Sequence, residues 1–307
     1  MWTAILLAAL VALGCAAYGA WAVHMAAHGA PPWLLIAGVP LTYLAVPLAF
    51  TIFWFGLAWW FRAERPAAIR LSPGSRLAMF LGEFRALARS VPRMILYRFL
   101  MPEPTPSPAA LPIVLLHGVG CNAGVWSGFR RHREEMGPQP VYALSYGPPL
   151  HSIEHFAEQL ASCLAAIEAA TGAQQVIVVG HSMGGLVARA YIRRYGAAKV
   201  RRLVTIGTPH HGSLHAWLML GPSLAQMRPG SGWLRELNRG ADAAGVATVS
   251  IWSWHDSMVT PQTSSRIEWG ENVVLAGIAH NALLDHPDVW AQLDAQIDRA
   301  ATSGSPA

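Results

Sequence analysis

Ser182 stands in Gly180-His181-Ser182-Met183-Gly184, a run of the form G-x-S-x-G. A β-branched stretch at 176–179 leads into it and a helix-like stretch at 183–195 leads out. A strand-to-helix turn of this kind lifts a serine hydroxyl clear of a sheet edge, where it can attack a carbonyl carbon. Gly180, Gly184 and Gly185 suit such a turn, because side chains there would crowd the strand and the helix beneath it. The chain holds 28 glycines, so the bare pattern recurs by chance, and its weight comes from the flanking strand and helix.

A serine hydroxyl is a weak nucleophile until a base takes its proton, and that base needs an acid to orient it. With this turn the acid and then the base follow the serine in chain order. Asp256 comes just after a strand at 248–252, and His280 just after one at 273–276. Both therefore fall at carboxyl ends of strands, where open parallel sheets gather their sites. Ser182, Asp256 and His280 are the candidates for nucleophile, acid and base. His286 competes as base but follows a helical turn, and Asp242, Glu268 and Asp285 compete as acid without directly ending a strand. His255 has the wrong chain order and is expected at the rim or in the core. A tetrahedral oxyanion needs two backbone N–H donors. Met183, directly after the serine, and Val119, in His117-Gly118-Val119-Gly120 after the first strand, are the candidates.

Positioning these groups takes a sheet. Strands are expected at 113–116, 141–145, 176–179, 203–206, 248–252 and 273–276, with helices at 153–170, 183–195 and 289–300. Alternating strands and helices imply βαβ units and an α/β domain with a mainly parallel sheet, here over 113–302. Five prolines in 101–112 describe an extended linker, and 303–307 a frayed tail.

The N-terminal part obeys different rules. Hydrophobic residues make up 53% of the chain and charged ones 13%, an excess that is local. Residues 2–23 and 33–61 carry no charge, and about 20 helical residues cross a hydrocarbon core. A transmembrane hairpin over 1–61 is the expectation, with Pro40 and Pro47 kinking the second span or shortening it to 41–61. A cleaved signal is disfavoured because Met1-Trp2 lacks a positive n-region. Residues 62–98 hold eight arginines and two glutamates, net +6, whereas the rest has 14 basic and 15 acidic residues. This distribution argues against a nucleic-acid partner and for a cytoplasmic collar on anionic lipid. Phe80, Phe84, Leu87 and Val91 recur at helical spacing, as in a helix lying in the membrane interface or one packed on the catalytic domain. Cys15, Cys121 and Cys163 form no disulfide framework.

Taken together, His117–Gly120, Gly180–Gly185, Gly207-Thr208-Pro209-His210-His211-Gly212-Ser213 and the Asp256 and His280 segments resemble bacterial triacylglycerol lipases of the α/β-hydrolase superfamily, over roughly residues 110–300. The resemblance implies that fold, with Ser182, Asp256 and His280 as triad and Val119 and Met183 as oxyanion donors. It also implies a lid in the apolar insertion 213–239, which could equally be an ordinary helical connection. No counterpart of the secreted lipases' calcium site is found, and no cofactor or metal is expected. His151-Ser152-Ile153-Glu154-His155 matches a metalloprotease pattern by chance, and His210, His211 and His215 belong to the lipase-like run. The expected function is a membrane-anchored, multi-pass lipase or esterase acting on lipid-like esters. A phospholipase, thioesterase or acyltransferase would use the same triad, and a silent membrane scaffold is the alternative of another class. Oligomeric state is left open.

Overall fold

The computed structural model describes residues 2–107, 111–240 and 245–302. Asp242 and the tail 303–307 lie outside the described residues. Six strands form one fully parallel sheet in the order β2-β1-β3-β4-β5-β6. They are β1 (Ile113–Leu116), β2 (Val141–Leu144), β3 (Val176–His181), β4 (Val200–Ile206), β5 (Ala247–Ser253) and β6 (Glu271–Leu275). All six match expected strands within a few residues.

Side-chain alternation divides the core. Val114, Leu116 and Val178 point to one face and pack under α6 (Ile153–Thr171) and α7 (Met183–Tyr195). Ile113, Leu115, Ile177 and Val179 point to the other, against α5 (Ser127–Met136) and α10 (Pro287–Thr302). The β1 strand and the first four residues of β3 are thereby covered on both sides, which explains their unbroken apolar runs.

Helices α1 (Trp2–Ala27) and α2 (Pro32–Trp60) form the N-terminal hairpin and are long and apolar enough to cross a membrane. Only 6% of each apolar window is buried, so neither is the core helix of a water-soluble fold. The shortened second span is not what forms: α2 runs unbroken through Pro40 and Pro47. Each proline removes one ladder bond, and the remaining bonds on either side carry the helix through.

Helix α3 (Pro73–Ile95) is capped by Ser72, whose Oγ accepts from Ser75 N at 3.1 Å. It continues past Pro92, and the Ala88 carbonyl that this proline leaves free accepts the Tyr43 hydroxyl of α2. It packs on the catalytic domain, one of its two expected settings, and on α2. Glu83, Ala86 and Met94 are buried on the catalytic domain, Phe80 meets Phe55 of α2, and Arg85 and Arg89 are exposed. A short α4 (Tyr97–Leu100) leads into residues 102–107, which form neither helix nor strand, and residues 108–110 of the expected linker lie outside the described residues. The insertion carries α8 (Pro222–Gln226) and α9 (Gly232–Arg239). Its apolar residues split: Leu224, Met227, Leu234 and Leu237 are core, whereas Trp217, Leu218 and Leu220 are exposed.

Candidate active site

Strand order reverses at β1 and β3, since β2 lies on one side of β1 and all later strands on the other. The crevice at such a switch point is where open parallel sheets bind ligands. It holds the loop after β1 and Ser182 after β3.

Ser182 adopts φ 55° and ψ −125°, a conformation in which a non-glycine residue is strained. Its surroundings hold it there. Ser182 N donates to Ile206 O at 2.8 Å, and Thr208 Oγ1 donates to Ser182 O at 2.9 Å. The flanking glycines are required by contact: a Cβ at 180 would lie 2.5 Å from Gly185 N, and one at 184 would lie 2.5 Å from Leu116 O. Met183 opens α7, so its N–H has no carbonyl one turn back and is available to an anion. Across the crevice, Gly118 abuts Ser182, where an added Cβ would come within 3.5 Å of Oγ. Val119 follows, half-buried. That loop is pinned by the Tyr146 hydroxyl, which donates to His117 O, and by His117 Nδ1 on Gly118 O at 2.8 Å. Burial pushes His117 down to about 4, so it is a neutral structural group at pH 7.

The candidate acid and base meet. His280 Nδ1 and Asp256 Oδ2 are 2.8 Å apart and both side chains are buried. Asp256 Oδ1 accepts from Met258 N and Val259 N at 2.8 and 2.7 Å, which aims the other oxygen at the imidazole. Burial pushes His280 down, but the Asp256 charge, its hydrogen bond and the charge of Glu83 lift it above the usual histidine value. The pair lies beside the serine: His181 Nε2 reaches His280 O at 3.2 Å, and Gly207, next to the carbonyl that holds Ser182 N, borders both Asp256 and His280. Among the described residues no hydrogen bond joins Ser182 Oγ to His280, a leg that resting sites often leave long until substrate tightens it.

Comparison with known proteins places the chain. The pimeloyl-[acyl-carrier protein] methyl ester esterase of Sodalis glossinidius is 31% identical over 202 residues, covering 61% of this chain and 70% of that protein. The chain belongs to the lipase- and esterase-like α/β-hydrolases. A family model for palmitoyl protein thioesterase matches residues 112–231, from the β1 strand through the serine turn into the insertion. A triacylglycerol lipase of Burkholderia plantarii is 33% identical over 109 residues, and one of Pseudarthrobacter phenanthrenivorans likewise. The chain spans only 34% and 30% of the Pseudarthrobacter and Burkholderia lipases. Mature lipase BlEst2 of Bacillus licheniformis shares its fold, with TM-score 0.56 at 18% identity over 64% of this chain and 95% of that one. Aspergillus fumigatus lipase B does so with TM-score 0.53 at 21% identity, over 59% and 51%.

The fold gives the competing residues other partners. Asp285 binds Arg93 at 2.6 Å, Glu268 faces His211 at 3.5 Å, and His286 accepts Asp288 N at the start of α10. His255 is buried, with Nδ1 accepting Gly277 N at 3.0 Å, as a core or rim histidine should. Glu154 of the metalloprotease-like pattern accepts Trp233 Nε1 at 2.7 Å and binds Arg193. His210 is buried between Arg189 and Thr205. Among the described residues no three His, Cys, Asp or Glu side chains gather as a metal-binding group.

Two features escaped the sequence reading. Glu83 of α3 is 2% exposed and accepts four hydrogen bonds. Ser257 Oγ and Asn281 Nδ2 donate to its Oε1, each at 2.8 Å, and Asn281 N and Ala282 N to its Oε2, each at 2.9 Å. One carboxylate thus ties the segment after Asp256 to the segment after His280. Its only signal was an acid on the same helical face as Ala86 and Met94. The second is the hairpin's seat. Thr3 Oγ1 donates to Cys121 O at 3.1 Å, just past the β1 loop, and the Trp54 ring packs at a tilt on His215 of the insertion, centroids 4.8 Å apart. Both helices of the hairpin therefore dock at the carboxyl edge of the sheet, beside the crevice.

Proposed function

We propose that this hydrolase is a membrane-anchored enzyme that cleaves carboxylic esters of lipids through Ser182, His280 and Asp256. The observation that carries the reading is the buried 2.8 Å Asp256–His280 bond beside a serine held at φ 55°. His280 Nε2 takes the Ser182 proton as Oγ attacks the ester carbonyl, and the N–H groups of Val119 and Met183 receive the oxyanion. Collapse breaks the bond to the alcohol, which leaves with the proton from His280. Water, deprotonated by the same imidazole, then releases the acid from the acyl-enzyme.

The seat of the hairpin supports a lipid substrate, because α2 touches the insertion and exposed Trp217, Leu218 and Leu220 extend from the same insertion. An exposed apolar tip beside two apolar helices suits a lid (213–239) that meets the bilayer. The arginine excess after α2 supports two spans with the catalytic domain on the cytoplasmic side, in a bacterial inner membrane. The thioesterase family match over 112–231 favours acyl thioesters as a second substrate class.

The test is hydrolysis by the full-length protein in lipid, profiled over acyl length and over oxygen ester, thioester and phospholipid head group. Ser182→Ala is expected to abolish turnover; retained turnover removes the assignment. A fluorophosphonate probe that fails to label the wild type favours the silent scaffold. Reporter fusions after residue 100 decide the orientation.

A further inference from the structure

One cavity lies apart from the serine crevice, with neither Ser182 nor His280 in its lining. It has a volume of about 970 Å³ and lies where α2 ends, α3 begins and the Asp256 loop forms the floor. Its polar wall is Arg62, Arg65, Arg70 and Arg76 against a single glutamate, Glu64. Its apolar wall includes Phe55, Trp59 and Phe80.

These arginines are not consumed by the protein. Among the described residues Arg65 and Arg70 have no ion-pair or side-chain hydrogen-bond partner, and Arg65 Nε is fully buried without one. Arg76 spends only Nε, on Leu71 O at 3.2 Å, and Arg62 lies 4.8 Å over the Trp59 ring while bonding Trp59 O. Burial first, then the charges of Arg62 and Arg76, push Arg65 below its ordinary value. His255 on the floor is pushed down to about 4 by burial and by Arg65 and Arg76, so it adds no charge at pH 7. Cations gathered around a half-buried guanidinium repel one another unless an anion joins them, and guanidinium forks match phosphate oxygens.

We propose that this cavity binds the phosphate headgroup of one anionic phospholipid, with its acyl chains along the aromatic wall and α2. The ligand must pair a compact anion with an apolar tail, as the two walls do. The site lies at the last turn of α2, the level at which a spanning helix leaves hydrocarbon for headgroups. The proposal rests on the membrane reading given above. Because Asp256 and Ser257 line the floor, a bound lipid also braces the loop of the proposed acid.

The experiment uses full-length wild type and Arg65→Gln/Arg76→Gln, reconstituted in phosphatidylcholine with a trace of phosphatidylglycerol and extracted for native mass spectrometry. Wild type is expected to retain one phosphatidylglycerol per chain with at least about tenfold preference, and the double variant to lose that preference, as charge-assisted bonds of this size require. Equal retention by both proteins overturns the proposal. So does displacement of the lipid by millimolar inorganic phosphate, which would make the cavity a site for free phosphate. Fluorophosphonate labelling of the variant shows that it is folded. Alkaline extraction of wild-type membranes tests the hairpin separately, and Ser182 labelling tests the hydrolase reading, so each can fail without the others.

Discussion

Glu83→Gln is the perturbation that most sharply tests how the site is held. The carboxylate accepts four hydrogen bonds at 2.8–2.9 Å with both oxygens saturated. A carboxamide keeps one oxygen. Turned so as to satisfy Asn281 N and Ala282 N, it sets an NH2 against Ser257 Oγ and Asn281 Nδ2. The hydroxyl can rotate to accept; the Asn281 amide nitrogen cannot. The Asn281 Nδ2 bond is lost and the others weaken to neutral ones, together about two charge-assisted bonds at roughly 1.5–3 kcal/mol each, hence roughly 3–6 kcal/mol. At roughly 2–4 °C per kcal/mol for a domain of this size, Tm should fall by roughly 6–24 °C. Below that temperature the Asp256 and His280 loops lose their common tie, and a misplacement on the order of 1 Å costs kcat about 10²-fold. KM should stay put, because Glu83 lies behind the two loops on α3. The sign of the pH effect follows from charge. Glu83 helps to raise His280, and activity requires the neutral imidazole, so removing the charge moves the acidic limb of kcat/KM to lower pH. Calorimetry and pH–rate profiles of ester hydrolysis measure all three. A variant with unchanged Tm, kcat within twofold and an unmoved limb would refute the reasoning.

Asp256→Asn should lower kcat on the order of 10⁴-fold and shift the acidic limb downward, since the acid's charge and hydrogen bond both raise His280; a pH–rate series checks this. Gly184→Ala places a methyl 2.5 Å from Leu116 O and 2.8 Å from His117 O, both backbone, so about 1–3 kcal/mol of stability and most fluorophosphonate labelling should be lost. Gly196→Ala meets nothing within 4 Å and has only its φ of 83° to oppose it, so it should cost about 1 kcal/mol and leave labelling intact. Trp54→Ala removes the ring packed on His215, and turnover of long-chain esters should fall more than that of short soluble ones, as parallel assays would record.

Where the controlling forces are local, the residues announce themselves. The apolar run before Ser182, the glycines around it and the helix after it are set by neighbours a few positions away, and β1 and α7 begin and end where the sequence places them. Asp256 and His280 were legible because chain order and strand ends constrain them, not because anything near them in sequence marks a role. Asp285 and Glu268 looked equally acidic, and only Arg93 and His211, 192 and 57 positions away in the chain, remove them. The insertion was ambiguous for the same reason. Helical spacing cannot distinguish Leu224 and Leu237, which fill the core, from Leu220, which is exposed, since burial depends on what lies opposite.

By itself, then, the sequence determined the element types, the strained serine turn, the order of acid and base, and the two apolar helices with their arginine collar. These follow from backbone sterics, side-chain periodicity and hydropathy, which act over a few residues. Tertiary structure alone decided that α3 carries Glu83 into the site, that the hairpin sits at the carboxyl edge of the sheet, and that four arginines enclose a cavity behind Asp256. Such arrangements join residues up to about 200 positions apart, as Glu83 joins Asn281 and Ala282, and a local pattern holds no record of them.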